Sequence, residues 1–237
     1  MNKEEYYKNY ISTHYKNVHG INLENERKYF TKKIEQAIPE LKKISKKSKI
    51  LDLGSGFGKF TYFCQKYNFK NYLGIDISKE EIELCKKDFK HYSFIEEDII
   101  KFLKKTKEKY DLIFMSHVFE HFTKKEGDEL INLVYKTLNK DGIFVNIMPN
   151  AHAYFGAIGT RYSDITHEVI YSPTSFSQML KNNGFEKIQH KNYVIGDNLI
   201  IKLIHKTILK IFELFIQIMG YSKNKIYTSS MITIVKK

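Results

Sequence analysis

The chain has 237 residues, 42% of them hydrophobic, which is enough apolar material for a large core and excludes an intrinsically disordered chain. Its net charge of +12 would suit a polyanion, but lysine carries it: Arg27 and Arg161 are the two arginines, phosphate readers lean on arginine forks, and nucleic acid is not an expected partner. The two cysteines, Cys64 and Cys85, share no metal-ligand spacing, and residues 1–6 hold no apolar run, so neither a disulfide framework nor a secretory signal is expected and a cytoplasmic location fits.

Residues 1–46 read as helical and tyrosine-rich, with Pro39 breaking the pattern near its end. Lys49–Leu53 then reads as a short strand running into glycines, followed by a helix over 58–67. Tyr72–Asp76 is a strand and 79–88 a helix; Tyr92–Ile95 is a strand and 99–107 a helix. Tyr110–Ser116 is a strongly apolar fourth strand, and 124–138 a helix stopped by Asn139-Lys140-Asp141-Gly142. Ile143–Met148 is a fifth strand closed by Pro149. This alternation points to parallel β-α-β units with both sheet faces covered. Residues 150–172 read as a polar and aromatic loop, 174–183 as a helix stopped by Asn183-Gly184, Phe185–Val194 as a strand, 198–219 as a long apolar helix, and Ser229–Val235 as a last strand. One domain is expected over 1–237: a helical cap (1–46), a cofactor-binding core (47–150) and a substrate region (151–237).

The run Asp52-Leu53-Gly54-Ser55-Gly56-Phe57-Gly58 sits where a strand becomes a helix, the place where open α/β sheets bind ligands. Glycines allow a tight turn and close approach of a ligand, N–H groups at the helix start can hold a carboxylate, and Asp52 can pair with an ammonium group. Asp76 ends the next strand, where an acid accepts ribose hydroxyls. The spacing is G-x-G-x-G rather than the G-x-G-x-x-G of a pyrophosphate site, so a nicotinamide enzyme is the weaker reading.

Over residues 45–190 these motifs, with Asp98 in Glu96-Glu97-Asp98-Ile99, the strand-four ending His117-Val118-Phe119-Glu120-His121 and the turn Leu138–Gly142, resemble the class I S-adenosylmethionine-dependent methyltransferases. The resemblance implies an α/β, doubly wound, mostly parallel seven-stranded Rossmann-like sheet of order 3-2-1-4-5-7-6 with strand seven antiparallel. Here N-terminal helices are added, and a helical insertion replaces the usual hairpin before the last strand. It implies S-adenosyl-L-methionine as cofactor and Asp52, Gly54, Ser55, Gly56, Gly58, Asp76, Ile77, Asp98, Ile99 and Ser116 as the residues that bind it.

The segment Arg161-Tyr162-Ser163-Asp164-Ile165-Thr166-His167-Glu168 resembles the Asp-x-Thr-His element of methyltransferases from glycan, lipopolysaccharide and capsule gene sets. This implies O-methylation of a sugar or sugar-phosphate hydroxyl in surface-polysaccharide synthesis. His167 is the leading base, with His121 the second candidate, and Arg161, Tyr162, Asp164, Asn150 and His152 are expected at the substrate. The alternatives are a small-molecule methyltransferase (quinone-type, aromatic or phosphate-bearing acceptor), an RNA methyltransferase, or a non-catalytic module that binds the cofactor. Strand four ends without the Asn-Pro-Pro-Tyr motif that base amino groups call for. His117 and His121 stand four apart with Glu120 between them, but not in the H-E-x-x-H order, so no metal is expected. A cluster of Tyr6, Tyr7, Tyr10, His14 and Tyr15 reads either as a lid or as packing.

In 198–219 the polar residues Lys202, Lys206, Lys210, Glu213 and Gln217 recur at helical spacing on an otherwise apolar helix. That is too charged to span a bilayer. It leaves three readings: peripheral contact with the inner membrane face, which a lipid-linked glycan acceptor would favour, a homodimer contact, or packing on the chain's own core.

Overall fold

The computed structural model describes residues 22–153, 157–193, 199–219 and 226–237. Seven strands, β1 (Lys49–Leu53), β2 (Asn71–Asp76), β3 (Ser93–Glu96), β4 (Tyr110–Ser116), β5 (Leu138–Pro149), β6 (Lys187–Asn192) and β7 (Ser230–Lys236), form one sheet of order β3-β2-β1-β4-β5-β7-β6. Strands β1 to β5 are parallel to one another, and β7 runs antiparallel to both β5 and β6. This is the class I methyltransferase topology expected from the sequence. The inserted helix before β7 has not changed the strand order.

The helices are α1 (Leu23–Ala37), α2 (Lys59–Lys66), α3 (Lys79–Asp88), α4 (Ile99–Lys105), α5 (Lys124–Thr137), α6 (Ala157–Tyr162), α7 (Pro173–Asn182) and α8 (Leu199–Ile218). Because strand side chains alternate, the buried strands feed two cores. Leu112 and Phe114 of β4 and Val145 and Ile147 of β5 join one core with Phe30, Ile34, Phe60, Phe63 and Ile82 of α1, α2 and α3. Ile113, Met115, Phe144 and Met148 join the other, with Leu103, Leu130, Ile131, Val134, Phe176 and Leu180 of α4, α5 and α7. The Phe114 ring stacks on Phe60 at 3.7 Å and meets Phe30 edge-on.

Helix starts follow local chemistry. Thr123 and Glu126 make a capping box for α5, Ser172 and Ser175 another for α7, where Pro173 takes the first helical position. The Asp98 side chain accepts from the Lys101 N–H and caps α4.

Two elements depart from the sequence reading. β5 already begins at Leu138, because Asn139–Gly142 loop out as an irregularity within the strand. Leu138 pairs with Tyr110 and Ile143 with Leu112, and Asp141 takes a left-handed φ of 65°. The turn residues do stop α5, but they do so inside a longer strand. The segment expected as an uninterrupted loop contains the short helix α6. The tyrosine cluster at positions 6–15 lies outside the described residues. Among the described residues no helix is long and apolar enough to cross a membrane.

Candidate active site

The crest of the sheet, at the carboxyl ends of β1, β2 and β4, opens into a cavity of about 740 Å³. That is the volume of a drug-sized ligand site. The turn after β1 forms its floor. Gly54 (φ 77°), Gly56 (φ 50°) and Gly58 (φ 87°) are all left-handed, a conformation that side chains resist. A Cβ on Gly54 would also lie 2.2 Å from Val118 Cγ2.

The N–H groups of this turn serve the scaffold more than was expected. Those of Gly54 and Ser55 donate to the Ile75 carbonyl, that of Gly58 to the Ser55 carbonyl, and that of Gly56 to Asp76 Oδ2 at 2.8 Å. The turn therefore offers a ligand its shape rather than these donors. The Ser55 hydroxyl is the exception, buried on the cavity wall with no hydrogen-bond partner among the described residues.

Of the residues expected at the cofactor, Asp52, Gly54, Ser55, Gly56, Asp76, Ile77, Asp98, Ile99 and Ser116 line the cavity. Gly58 does not. It caps α2, and a Cβ there would strike Phe89 and Cys85, so its glycine answers packing. Asp76 Oδ1 accepts from the Ser78 N–H at 2.9 Å, which leaves lone pairs for ribose hydroxyls. One Asp98 oxygen is engaged in capping α4.

Seven carboxyl-bearing residues line the cavity against two lysines, in a protein of net charge +12. Burial pushes Asp52 up to about 7, opposed by the hydrogen bond that Tyr72 donates to its Oδ2 at 2.6 Å and reinforced by Asp76. Burial likewise raises Asp76, against the N–H groups of Ser78, Gly56 and Ile77. Glu81 is raised by burial and then by Asp76. Such a pocket repels a pyrophosphate and attracts a cation. A methionyl sulfonium carries positive charge at both sulfur and ammonium, and the unpartnered Ser55 hydroxyl leaves a polar contact for it. The residues present fit this cofactor.

At the other end of the cavity stand Ser116, His117, Val118, Glu120 and His121 from the end of β4, and Ser163, Asp164 and His167 from the loop after α6. The Glu168 and Val169 N–H groups donate to the Glu120 carbonyl and clamp the loop there. The rings of His121 and His167 lie 4.9 Å apart. His121 Nδ1 meets Thr166 Oγ1 at 3.0 Å, and Thr166 in turn donates to Asp164 Oδ1 at 2.5 Å. Burial holds His121 below its ordinary value against the pull of Glu120, which keeps the ring neutral near pH 7. In Glu120, burial works upward but is outweighed by the hydrogen bond and charge of His117.

Four substrate candidates do not reach the cavity as it is described. The buried Asn150 amide donates to the Ile226 and Thr228 carbonyls, and its oxygen accepts from the His152 N–H, so it holds loops together. His152 is exposed. Arg161 lies over the exposed Tyr162 ring at 5.3 Å. The planar fork of an arginine is put to structural use at Arg27. Its Nε donates to the Phe57 carbonyl, Nη1 pairs with Asp88 at 2.8 Å, and the guanidinium stacks over Phe89, bracing the glycine turn from α1. Glu26, Tyr29, Phe30 and Lys33 of α1, with Glu81 and Tyr193, are cavity residues that the sequence reading missed. The sequence reading also found no three metal ligands gathered. The fold brings Glu120, His121 and His167 together, with ligand atoms within 4.8 Å of one another.

A methyltransferase-domain family model matches residues 23–190. The chain belongs to this methyltransferase family. A search of curated proteins finds no match. Among solved structures, a SAM-dependent methyltransferase from Archaeoglobus fulgidus is 23% identical with a TM-score of 0.68, covering 89% of this chain and 94% of its own. One from Clostridium acetobutylicum is 14% identical with a TM-score of 0.61, covering 96% and 95%. A complex of DhpI with S-adenosylhomocysteine is 13% identical with a TM-score of 0.64, covering 98% and 93%. At these identities the likeness is one of fold.

Proposed function

We propose that this methyltransferase O-methylates a hydroxyl of a sugar or sugar-phosphate in surface-polysaccharide synthesis. The observation that carries the reading is the His121–His167 pair on the cavity wall, with His121 tied through Thr166 to Asp164. A hydroxyl needs a base to lose its proton as it attacks, whereas an amine does not. When bound, the cofactor supplies an electrophilic methyl group on a sulfonium. The chain's own residues do the rest. Asp52 and the Gly54–Gly56 turn orient the methionyl end, Asp76 the ribose, and the loop clamped on Glu120 brings the imidazoles to the acceptor side. His167 donates Nδ1–H to the Thr160 carbonyl at 2.7 Å, so its Nε2 is the proton acceptor. Turnover of a glycan acceptor should fall by ~10²-fold or more in His167→Ala while S-adenosylhomocysteine affinity stays unchanged; full turnover in that variant would remove His167 from the chemistry.

Helix α8 gives the acceptor a place to come from. β6 runs parallel to β5, so its end at Tyr193, a cavity residue, lies on the crest from which α8 is reached. Ile204, Ile208, Ile211, Phe215 and Ile218 are exposed along one stripe, with Lys210 exposed to one side. A basic protein with such a stripe suits an anionic membrane surface carrying a lipid-linked acceptor. Glutamine at Lys202, Lys206 and Lys210 should release the protein from anionic vesicles. Unchanged vesicle association, or concentration-dependent self-association in place of it, would overturn the membrane reading.

A further inference from the structure

Glu120, on the turn that follows β4, is 1% exposed, and its Oε2 has no hydrogen-bond partner among the described residues. A buried carboxylate oxygen without a partner is costly, and the neighbours of this one say what it lacks. Asp164 can only accept, so the Thr166 hydroxyl spends its proton there and must accept from His121; His121 Nδ1 therefore carries its hydrogen. The Thr160 carbonyl fixes the same tautomer in His167. Both lone pairs fall on Nε2. Each ring is oriented by a hydrogen bond from its other nitrogen, the outer-shell pattern of metal-ligating histidines.

We infer that Glu120, His121 and His167 form a binding site for a first-row divalent transition-metal cation, at which the acceptor hydroxyl is coordinated. Two imidazoles and one carboxylate are a borderline donor set, suited to zinc, iron or cobalt rather than magnesium. Neighbouring ligands on such an ion stand ~3 Å apart, at bonds of ~2.1 Å. The ligand atoms here lie within 4.8 Å of one another, so the side chains must close by about 1–2 Å. The Glu120 carbonyl, clamped by the N–H groups of Glu168 and Val169, holds the two segments together for that closure. The inference rests on the acceptor reading above and changes one step of it. In the loaded enzyme the hydroxyl proton passes to solvent because the bound cation lowers its pKa, not to His167. The resulting alkoxide attacks the methyl carbon, and the C–S electron pair goes to sulfur.

The test is titration of chelator-treated full-length protein with Co²⁺, followed by its visible d–d absorption and by calorimetry. One Co²⁺ per chain is expected, with affinity reduced at least ~10-fold in Glu120→Gln and His167→Asn and reduced also in Thr166→Val. Each variant is checked for unchanged S-adenosylhomocysteine affinity, which shows that it is folded. Absence of saturable binding, or binding that survives both ligand substitutions, overturns the site. Equal methyl transfer before and after chelation overturns its catalytic role. Protein that binds S-adenosylhomocysteine but no Co²⁺ refutes this inference alone, whereas Co²⁺-loaded protein that methylates no glycan hydroxyl refutes the proposed function alone.

Discussion

Asp52 should make cofactor binding by this enzyme a function of pH. Its carboxyl is fully buried on the cavity floor, and that burial pushes it up to about 7, well above the ordinary aspartate range. The groups around it are few. Tyr72 donates to it, Asp76 repels its charge, and Cys64 and Cys85 are thiols that burial itself keeps protonated. In the ligand-free protein, ionisation of a group whose folded pKa is raised costs stability as the pH climbs from the unfolded value toward 7. The cofactor's ammonium group favours the ionised form and offsets that cost. The ionised fraction for a pKa near 7 is ~3% at pH 5.5 and ~75% at pH 7.5, so affinity should rise ~25-fold over that range, about 1.9 kcal/mol. Calorimetry with S-adenosylhomocysteine, in two buffers of different ionisation heat, should show this rise and up to one proton released on binding at the acid end. Asp52→Asn should bind more weakly at pH 7.5 and lose most of the slope. A flat profile in the wild type, or the full slope in Asp52→Asn, would refute the assignment of Asp52 to the ammonium.

Asp76→Ala should weaken S-adenosylhomocysteine by an order of magnitude or more, because it removes both the ribose acceptor and the partner of the Gly56 N–H; calorimetry reads the change directly. Gly54→Ala should cost about 1–2 kcal/mol of stability from its left-handed φ alone, and more in cofactor affinity, since the added Cβ meets Val118 at 2.2 Å; urea denaturation and ligand titration separate the two. Asn150→Ala should lower stability by ~1–3 kcal/mol through the orphaned Ile226 and Thr228 carbonyls, while the acceptor KM stays where it was. A changed KM would return Asn150 to the substrate site.

The parallel half of the fold was legible because each βα unit announces itself locally: an apolar run, a turn, an amphipathic helix. Tyr110–Ser116 was bounded correctly for that reason, and β1 likewise, since both are short apolar runs with clear stops. The cofactor side of the cavity was legible because its residues cluster in two turns, Asp52–Gly58 and Asp76–Ser78. The acceptor side was not. Glu26, Tyr29 and Lys33 sit on a helix that reads as an ordinary amphipathic one, and nothing local says that its exposed edge overhangs the crest. Asn150 and His152 follow β5 at the crest, the usual place for substrate residues, but the Asn150 amide is spent on distant carbonyls that only the folded chain reveals. The gathering of Glu120 with His167 is likewise a product of topology. The sequence separates them by 47 positions, and the backbone clamp between Glu120 and Glu168 closes that gap.

The Lys33 ammonium lies 4.1 Å from the centre of the Tyr29 ring and 5.2 Å from that of Tyr193. One lysine thus joins α1, near one end of the described chain, to the far edge of the sheet, across the mouth of the cavity. An occupant of that cavity is braced by both, and it steadies both in return. At a hundredfold excess over its dissociation constant a ligand adds about 2.7 kcal/mol to the stability of the folded state. Amide protons of α1 and of the Tyr193 segment should then slow their exchange in step, so that two stretches remote in sequence open and shut as a single unit whenever the nucleoside comes and goes.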